Sequence, residues 1–220
     1  MKRRHLVRLA ALAASLLPAA LAAQECTAGG GFRVSAAAGL VHYGVSNGVD
    51  GVELGGELGA SFAPVAVTVG YHRLDLERGE IDPDVIRGRI AVRIPTSDDF
   101  EYCGSVFGGM SLMSPPDGGG TDARVVAGGA GLHVARPLPL GAGVLRPFAG
   151  IRGGAASSSG EVLGLDVSET GYSFGGDVGA VADIGRFTAR AEASFDGFAP
   201  ALGISPYPDR AFRLAAGFRF

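Results

Sequence analysis

Residues 212–220 read FRLAAGFRF, and their order decides the fold. Phe212, Leu214, Ala216, Phe218 and Phe220 alternate with Arg213, Ala215, Gly217 and Arg219. Successive side chains of an extended strand point to opposite faces, so this period of two puts apolar groups on one surface and guanidinium groups on the other. The period recurs upstream. In residues 85–94, Ile86, Ile90, Val92 and Ile94 oppose Arg87, Arg89 and Arg93. In 52–62, Val52, Leu54, Leu58 and Phe62 oppose Glu53, Glu57 and Ser61, and in 187–195 Phe187, Ala189, Ala191, Ala193 and Phe195 oppose Thr188, Arg190, Glu192 and Ser194.

The chain opens differently. MKRRHLVR is basic, LAALAASLLPAALAA is an apolar run of about 15 residues, and Ala20-Leu21-Ala22 supplies small residues for cleavage. Residues 1–23 are therefore expected to be a cleaved signal peptide, the run being short of the roughly 20 residues needed to span a bilayer as a helix. The 19 Lys and Arg against 22 Asp and Glu give a net charge of −3. Loss of Lys2, Arg3, Arg4 and Arg8 with the signal leaves 15 against 22, or −7. An acidic chain without a basic stripe argues against nucleic acid as a partner.

No later apolar run is long enough for a helical span, but alternating strands closed into a barrel satisfy every backbone group inside lipid. Residues 24–220 are expected to form one all-β domain, an antiparallel up-and-down transmembrane β-barrel. Ten strands are expected near 31–43, 52–62, 65–76, 85–94, 101–113, 124–135, 144–155, 170–184, 187–198 and 210–220; eight is the alternative if 101–113 and 124–135 are loop. The connections alternate. Ala63-Pro64, 95–100, 136–143 and Gly185-Arg186 are compact, whereas 114–123, 156–169 and 199–209 are long, the asymmetry expected of short periplasmic turns and longer outer loops. Phe32, Phe62, Tyr102, Phe187 and Phe220 would mark one membrane interface, and Tyr71, Tyr172, Phe198 and Phe212 the other.

With these strands, the segments LRPFAGIRGGAA (145–156) and YSFGGDVGAVADI (172–184) and the terminal FRLAAGFRF, the chain resembles the bacterial outer-membrane β-barrel superfamily, in the group of small OmpA-like and OmpX-like barrels. The resemblance implies an outer-membrane location in contact with membrane lipid and lipopolysaccharide. It also implies that Phe212, Leu214, Phe218 and Phe220 form the signal read by the barrel-assembly machinery. It specifies no activity.

If the apolar faces point outward, parity assigns Arg33, Glu53, Glu57, His72, Arg87, Arg89, Arg93, Arg146, Arg152, Asp177, Arg190, Glu192, Arg213 and Arg219 to the lumen. Charges so crowded must pair or be hydrated. The expected function is accordingly a small non-enzymatic barrel with a structural or surface-interaction role and a largely plugged, charged lumen. A narrow porin-like channel and an outer-membrane lipid-modifying enzyme are the alternatives. The two cysteines, Cys26 and Cys103, both fall at the periplasmic end of this topology, where a disulfide can form.

Catalytic elements are weak. His42 and Ser46-Asn47 echo a His-x-Ser-Asn element at the wrong spacing, and Ser46-Asn47-Gly48 reads equally as a turn. His72 with Asp75 echoes an acid–base pair without further support. The 117–122 loop DGGGTD lacks the spaced ligands of a calcium loop. No HExxH, CxxC, GxSxG or P-loop occurs, and no cofactor or metal is expected.

Overall fold

The computed structural model describes residues 32–45, 49–76, 84–113, 123–162, 165–200 and 207–220. The expected signal segment, Cys26, Ser46, Asn47 and the 117–122 loop lie outside the described residues. The strands are β1 (Phe32–Val45), β2 (Val49–Phe62), β3 (Val65–Leu76), β4 (Asp84–Ile94), β5 (Glu101–Met113), β6 (Ala123–Ala135), β7 (Leu138–Leu140), β8 (Gly143–Val162), β9 (Leu165–Ile184), β10 (Phe187–Pro200) and β11 (Tyr207–Arg219).

Neighbours in sequence pair antiparallel, β6 pairs with β8, and β1 pairs with β11, so the sheet closes. β7 is not an eleventh position in the wall. It continues β6 in the same register against β8: Ala135 faces Phe148, and Leu138 faces Leu145. The break falls where Pro137 and Pro147 remove two N–H donors, leaving the Arg136 N–H donating to the Pro147 carbonyl at 3.1 Å. The wall is a closed ten-stranded antiparallel barrel, with 101–113 and 123–135 as full strands, which rules out the eight-stranded alternative.

One expected connection is corrected. Residues 156–169 read as a long loop because Ser, Gly and Asp favour turns. Instead β8 runs on to Val162 and β9 starts at Leu165, with the ladder continuing to the Val162–Leu165 pair. Pairing along a preformed antiparallel partner outweighs weak local propensity here. At the opposite end the turns are tight, and Gly141 and Gly185 sit at φ 55° and 60°, which glycine adopts without steric cost.

The alternation predicted for residues 85–94 is realised as an inverted distribution of polarity. Ile86 is 46% exposed on the outer wall while Arg87 beside it is 4% exposed inside. Leu54, Leu58, Val69, Val106, Ile151, Phe174, Val178 and Leu214 are likewise exposed on the outside. A soluble barrel hides its aliphatic residues; a wall that shows them all round and encloses its charges suits a lipid solvent. The outward-facing charges Arg73, Asp75, Asp84, Arg124 and Arg210 all sit at the end away from the C-terminus. At the C-terminal end the aromatic rings gather: Phe187, Phe218 and Phe220 stack in sequence with centroids 6.5 and 6.3 Å apart.

Inside, the high glycine content has a specific use. Gly55 lies opposite His72 and Gly150 opposite His133, and a Cβ at either would come within 2.3 Å and 2.2 Å of the facing imidazole. Phe107 and Phe148 lean in the same way over Gly129 and Gly179. A ring laid across a glycine on the next strand covers exposed backbone and keeps the lumen narrow.

Candidate functional site

Among the described residues the lumen holds eight arginines (Arg87, Arg89, Arg93, Arg146, Arg152, Arg190, Arg213, Arg219) and six carboxylates (Glu53, Glu57, Glu101, Asp177, Asp183, Glu192). They come from seven of the ten wall strands, three of them from β4 and one or two from each of the others, and the closed register sets which of them meet.

Three groups are stacked along the axis. Nearest the C-terminal end, Asp183 on β9 accepts hydrogen bonds from Arg146 on β8 and Arg219 on β11. Arg146 Nε also lies 3.3 Å from Glu101 at the foot of β5, and Glu101 lies 3.6 Å from Arg93 of β4. In the middle, Arg152 Nη1 donates to Asp177 Oδ1 at 2.9 Å, and His133 Nε2 stands 3.2 Å from Asp177 Oδ2. Arg89 donates to Ser105 Oγ at 2.7 Å and approaches His133 Nδ1 at 3.5 Å. Arg190 donates to Glu192, two residues along β10, and its guanidinium lies 4.8 Å from the Phe148 ring centroid. Farther out, Arg87 Nη2 donates to Glu53 Oε2 at 2.5 Å across the intervening strand β3. His72 on that strand lies 2.9 Å from Glu53 through Nδ1 and 3.3 Å from Glu57 through Nε2.

The chemistry of this assembly is charge neutralisation in a confined space. Taking a guanidinium or carboxylate out of water costs several kcal/mol, offset only by close, hydrogen-bonded partners. Glu53, Arg87, Arg152, Asp177, Arg190 and Glu192 are each under 5% exposed and each has one. Buried apolar side chains share the interior, with Ala135, Phe148 and Val181 in one cluster and Leu74, Val85 and Val125 elsewhere inside.

The structure brings together Glu53, Glu57 and Arg87; Arg152 and Asp177; Arg190 and Glu192; and Arg146 and Arg219. Arg213 is buried without an ion-pair contact among the described residues, and the Arg33 side chain lies outside them. Sequence parity singled out neither Glu101 nor Asp183 nor His133; Asp183 shares inward parity with the assigned Asp177, whereas no inward residue was assigned on the strands of Glu101 and His133. Asp183 is six residues from Asp177, an even spacing that puts both on one face.

The catalytic echoes come apart. His72 points inward and Asp75 outward, so the two cannot share a substrate; His42 is exposed on the outer wall. Among the described residues no group of three or more His, Cys, Asp and Glu is arranged to hold a metal ion. Cys103 is inward-facing, buried and disulfide-bonded. On the outer wall Phe212, Leu214, Phe218 and Phe220 form an exposed apolar row, with the Phe220 N–H donating to the Val34 carbonyl at 2.9 Å, so the last residue is held in the closing seam.

The closed ten-stranded antiparallel wall is apolar outside and charged within, the form that the sequence resemblance implies. No family model and no curated protein sequence matches the chain. Among solved structures, the β domain of the Bordetella autotransporter BrkA matches with a TM-score of 0.46 at 16% identity, covering 85% of this chain and 98% of that one. The attachment invasion locus protein Ail of Yersinia pestis gives 0.43 at 12% identity, over 87% and 100%. Neisserial surface protein A gives 0.40 at 16% identity, over 86% and 95%. All three TM-scores lie below 0.5, and the three proteins bear on no role of this chain.

Proposed function

We propose that this chain is a non-enzymatic outer-membrane barrel whose lumen is closed, so that its role is structural or lies in surface interaction rather than transport or catalysis. The observation that carries this reading is the stack of arginine–carboxylate groups from the Asp183 cluster to the Glu53 cluster, which occupies the inner wall at three levels. Water or solute could pass only by breaking charge pairs whose separation in a low-dielectric interior is costly. The histidines sit within that stack, so they face carboxylates and arginines rather than an open cleft.

Membrane lipid and lipopolysaccharide are the proposed surroundings. Outward Arg73, Arg124 and Arg210 stand at the headgroup level of the end away from the C-terminus, and the row ending at Phe220 is the proposed contact for the assembly machinery. Because Cys103 is bonded and the chain has one other cysteine, a Cys26–Cys103 bridge is proposed to tie the N-terminal segment to the periplasmic mouth. Thiol labelling of denatured, unreduced protein tests it: two free thiols would count against the bridge.

Planar-bilayer recording of the refolded protein tests the closed lumen. Silent bilayers, or rare brief openings, are expected. Long-lived openings of uniform size would establish a channel and overturn the reading. Fractionation of the expressed chain tests the address, with an outer-membrane pellet and heat-modifiable gel migration expected.

A further inference from the structure

Cys103 faces the lumen from β5 and is 1% exposed, although Arg93, directly opposite it on β4, keeps a side chain that is 41% exposed. Cys103 is bonded, and Cys26 is the chain's other cysteine. On the Cys26–Cys103 bridge proposed above, the Cys26 sulfur must lie inside the barrel. The chain between Cys26 and the wall then has to come in through the periplasmic mouth.

Strand β1 starts at Phe32, six residues on from Cys26. Around the closed order β5 stands four places from β1 in a ring of ten, almost opposite it. Strands about 4.8 Å apart and tilted by about 40° make a ring about 20 Å across, so the straight path from β1 to β5 is about 19 Å and the path along the wall about 25 Å. Six Cα steps reach about 20–22 Å at full stretch, and a disulfide adds about 5.5–6 Å between its own Cα atoms. The straight path leaves the segment slack, whereas the wall path holds it fully extended, without backbone freedom. Residues 27–31 are Thr-Ala-Gly-Gly-Gly, with no side chain larger than threonine. Such a segment suits a mouth narrowed by Arg93, Glu101, Arg146, Asp183 and Arg219.

We propose that residues 26–31 of this chain occupy its own periplasmic mouth, crossing the lumen from the foot of β1 to Cys103 on β5 as a covalently fixed strap. The strap roofs Cys103, which accounts for its burial beside an exposed Arg93. It also narrows the periplasmic end by a means separate from the ion pairs farther in.

Moving the cysteine along the segment tests the path. The barrel is refolded in oxidised and reduced glutathione, the oxidised form taking the two protons and two electrons released by each new bridge. Free thiols are then counted by labelling after denaturation, in the fraction with heat-modifiable migration. With Cys26→Ser and Thr27→Cys, five Cα steps and the disulfide reach about 22–24 Å, enough for the straight path and too little for the wall. With Cys26→Ser and Gly30→Cys, two steps and the disulfide reach about 12–13 Å, too little for either. The Thr27→Cys barrel is expected to bond Cys103 as fully as the unaltered one, and the Gly30→Cys barrel to keep two free thiols. Free thiols in Thr27→Cys while the unaltered barrel has none would overturn the crossing and leave the bridge standing. A bonded Gly30→Cys barrel would overturn the crossing too. Two free thiols in the unaltered barrel would remove the bridge itself, and the strap with it. None of these exchanges falls in a strand, and a bridge found only in protein without heat-modifiable migration counts as unbonded.

Discussion

Replacing Gly150 by Ala and, separately, Gly104 by Ala adds the same methyl group to two glycines of the same barrel, with opposite expected results. At Gly150 the new Cβ would lie 2.2 Å from His133 Cδ2 and 2.5 Å from Nε2, where carbon contacts settle near 3.5–4.0 Å. The imidazole must retreat by more than an ångström, yet it is held between Asp177 at 3.2 Å and Arg89 at 3.5 Å. Forcing a methylene into a packed interior costs about 1–3 kcal/mol, and loosening a buried polar contact about 1–3 kcal/mol more. A loss of about 2–4 kcal/mol is therefore expected for Gly150→Ala. At Gly104, on the outer wall, a Cβ meets nothing within 4 Å. Removing glycine's conformational freedom there should be neutral or stabilise by about 0.5–1 kcal/mol. Urea titration of barrels folded in lipid vesicles, followed by circular dichroism because the chain has no Trp, gives both values by linear extrapolation. A Gly150→Ala barrel as stable as the parent, or a Gly104→Ala barrel equally damaged, would show that the ring-over-glycine packing does not set the lumen's width.

Three other outcomes follow from the charge network and the chain end. Glu53→Gln should destabilise by about 3–5 kcal/mol, because it removes the charge that Arg87 Nη2 donates to; Glu53→Gln combined with Arg87→Met should recover most of that loss in the same titration. Phe220→Ala should cost only about 0.5–1.5 kcal/mol in vitro, since the ring is largely exposed and packs on Phe218, while sharply reducing the barrel reaching the outer membrane in cells. Equal losses in the two measurements would remove the assembly role. In the turn between β4 and β5, hydrogen bonds from Thr96, the Phe100 N–H and the Tyr102 hydroxyl hold the Asp98 carboxyl below its ordinary value. A depressed carboxyl stabilises above its unfolded pKa and loses that contribution as the pH falls through the folded one. Turn order, read by amide exchange, should therefore decline on acidification below about pH 4, and Asp98→Asn should flatten the dependence.

Much of the architecture was legible in residues 85–94 and 212–220, because a strand's side-chain alternation is a property of its own backbone. Parity sent Arg87, Arg89 and Arg213 to one face and Ile86, Ile90 and Leu214 to the other, and no distant contact was needed to know it. The compact turns at Ala63-Pro64 and Gly185-Arg186 were equally local. The 156–169 stretch was not, since its Ser and Gly content describes an isolated segment, whereas its pairing was settled by the strand alongside. Nor could the sequence tell which charges meet.

The sequence by itself determined that strands exist and, along each one, which side chains share a face, since both follow from a two-residue period; that there are ten rather than eight was decided by the pairing of 101–113 with 123–135. Only the tertiary structure decided that Glu53 takes Arg87 across β3 while Glu192 turns to Arg190 and leaves Arg213 aside, that Gly150 makes room for His133, and that Asp183 joins Arg146 to Arg219. Those choices depend on register and on the curvature of a closed wall, which bring inward positions of different strands within a few ångströms of one another. Barrel closure is a property of the whole ladder and is written in no single strand.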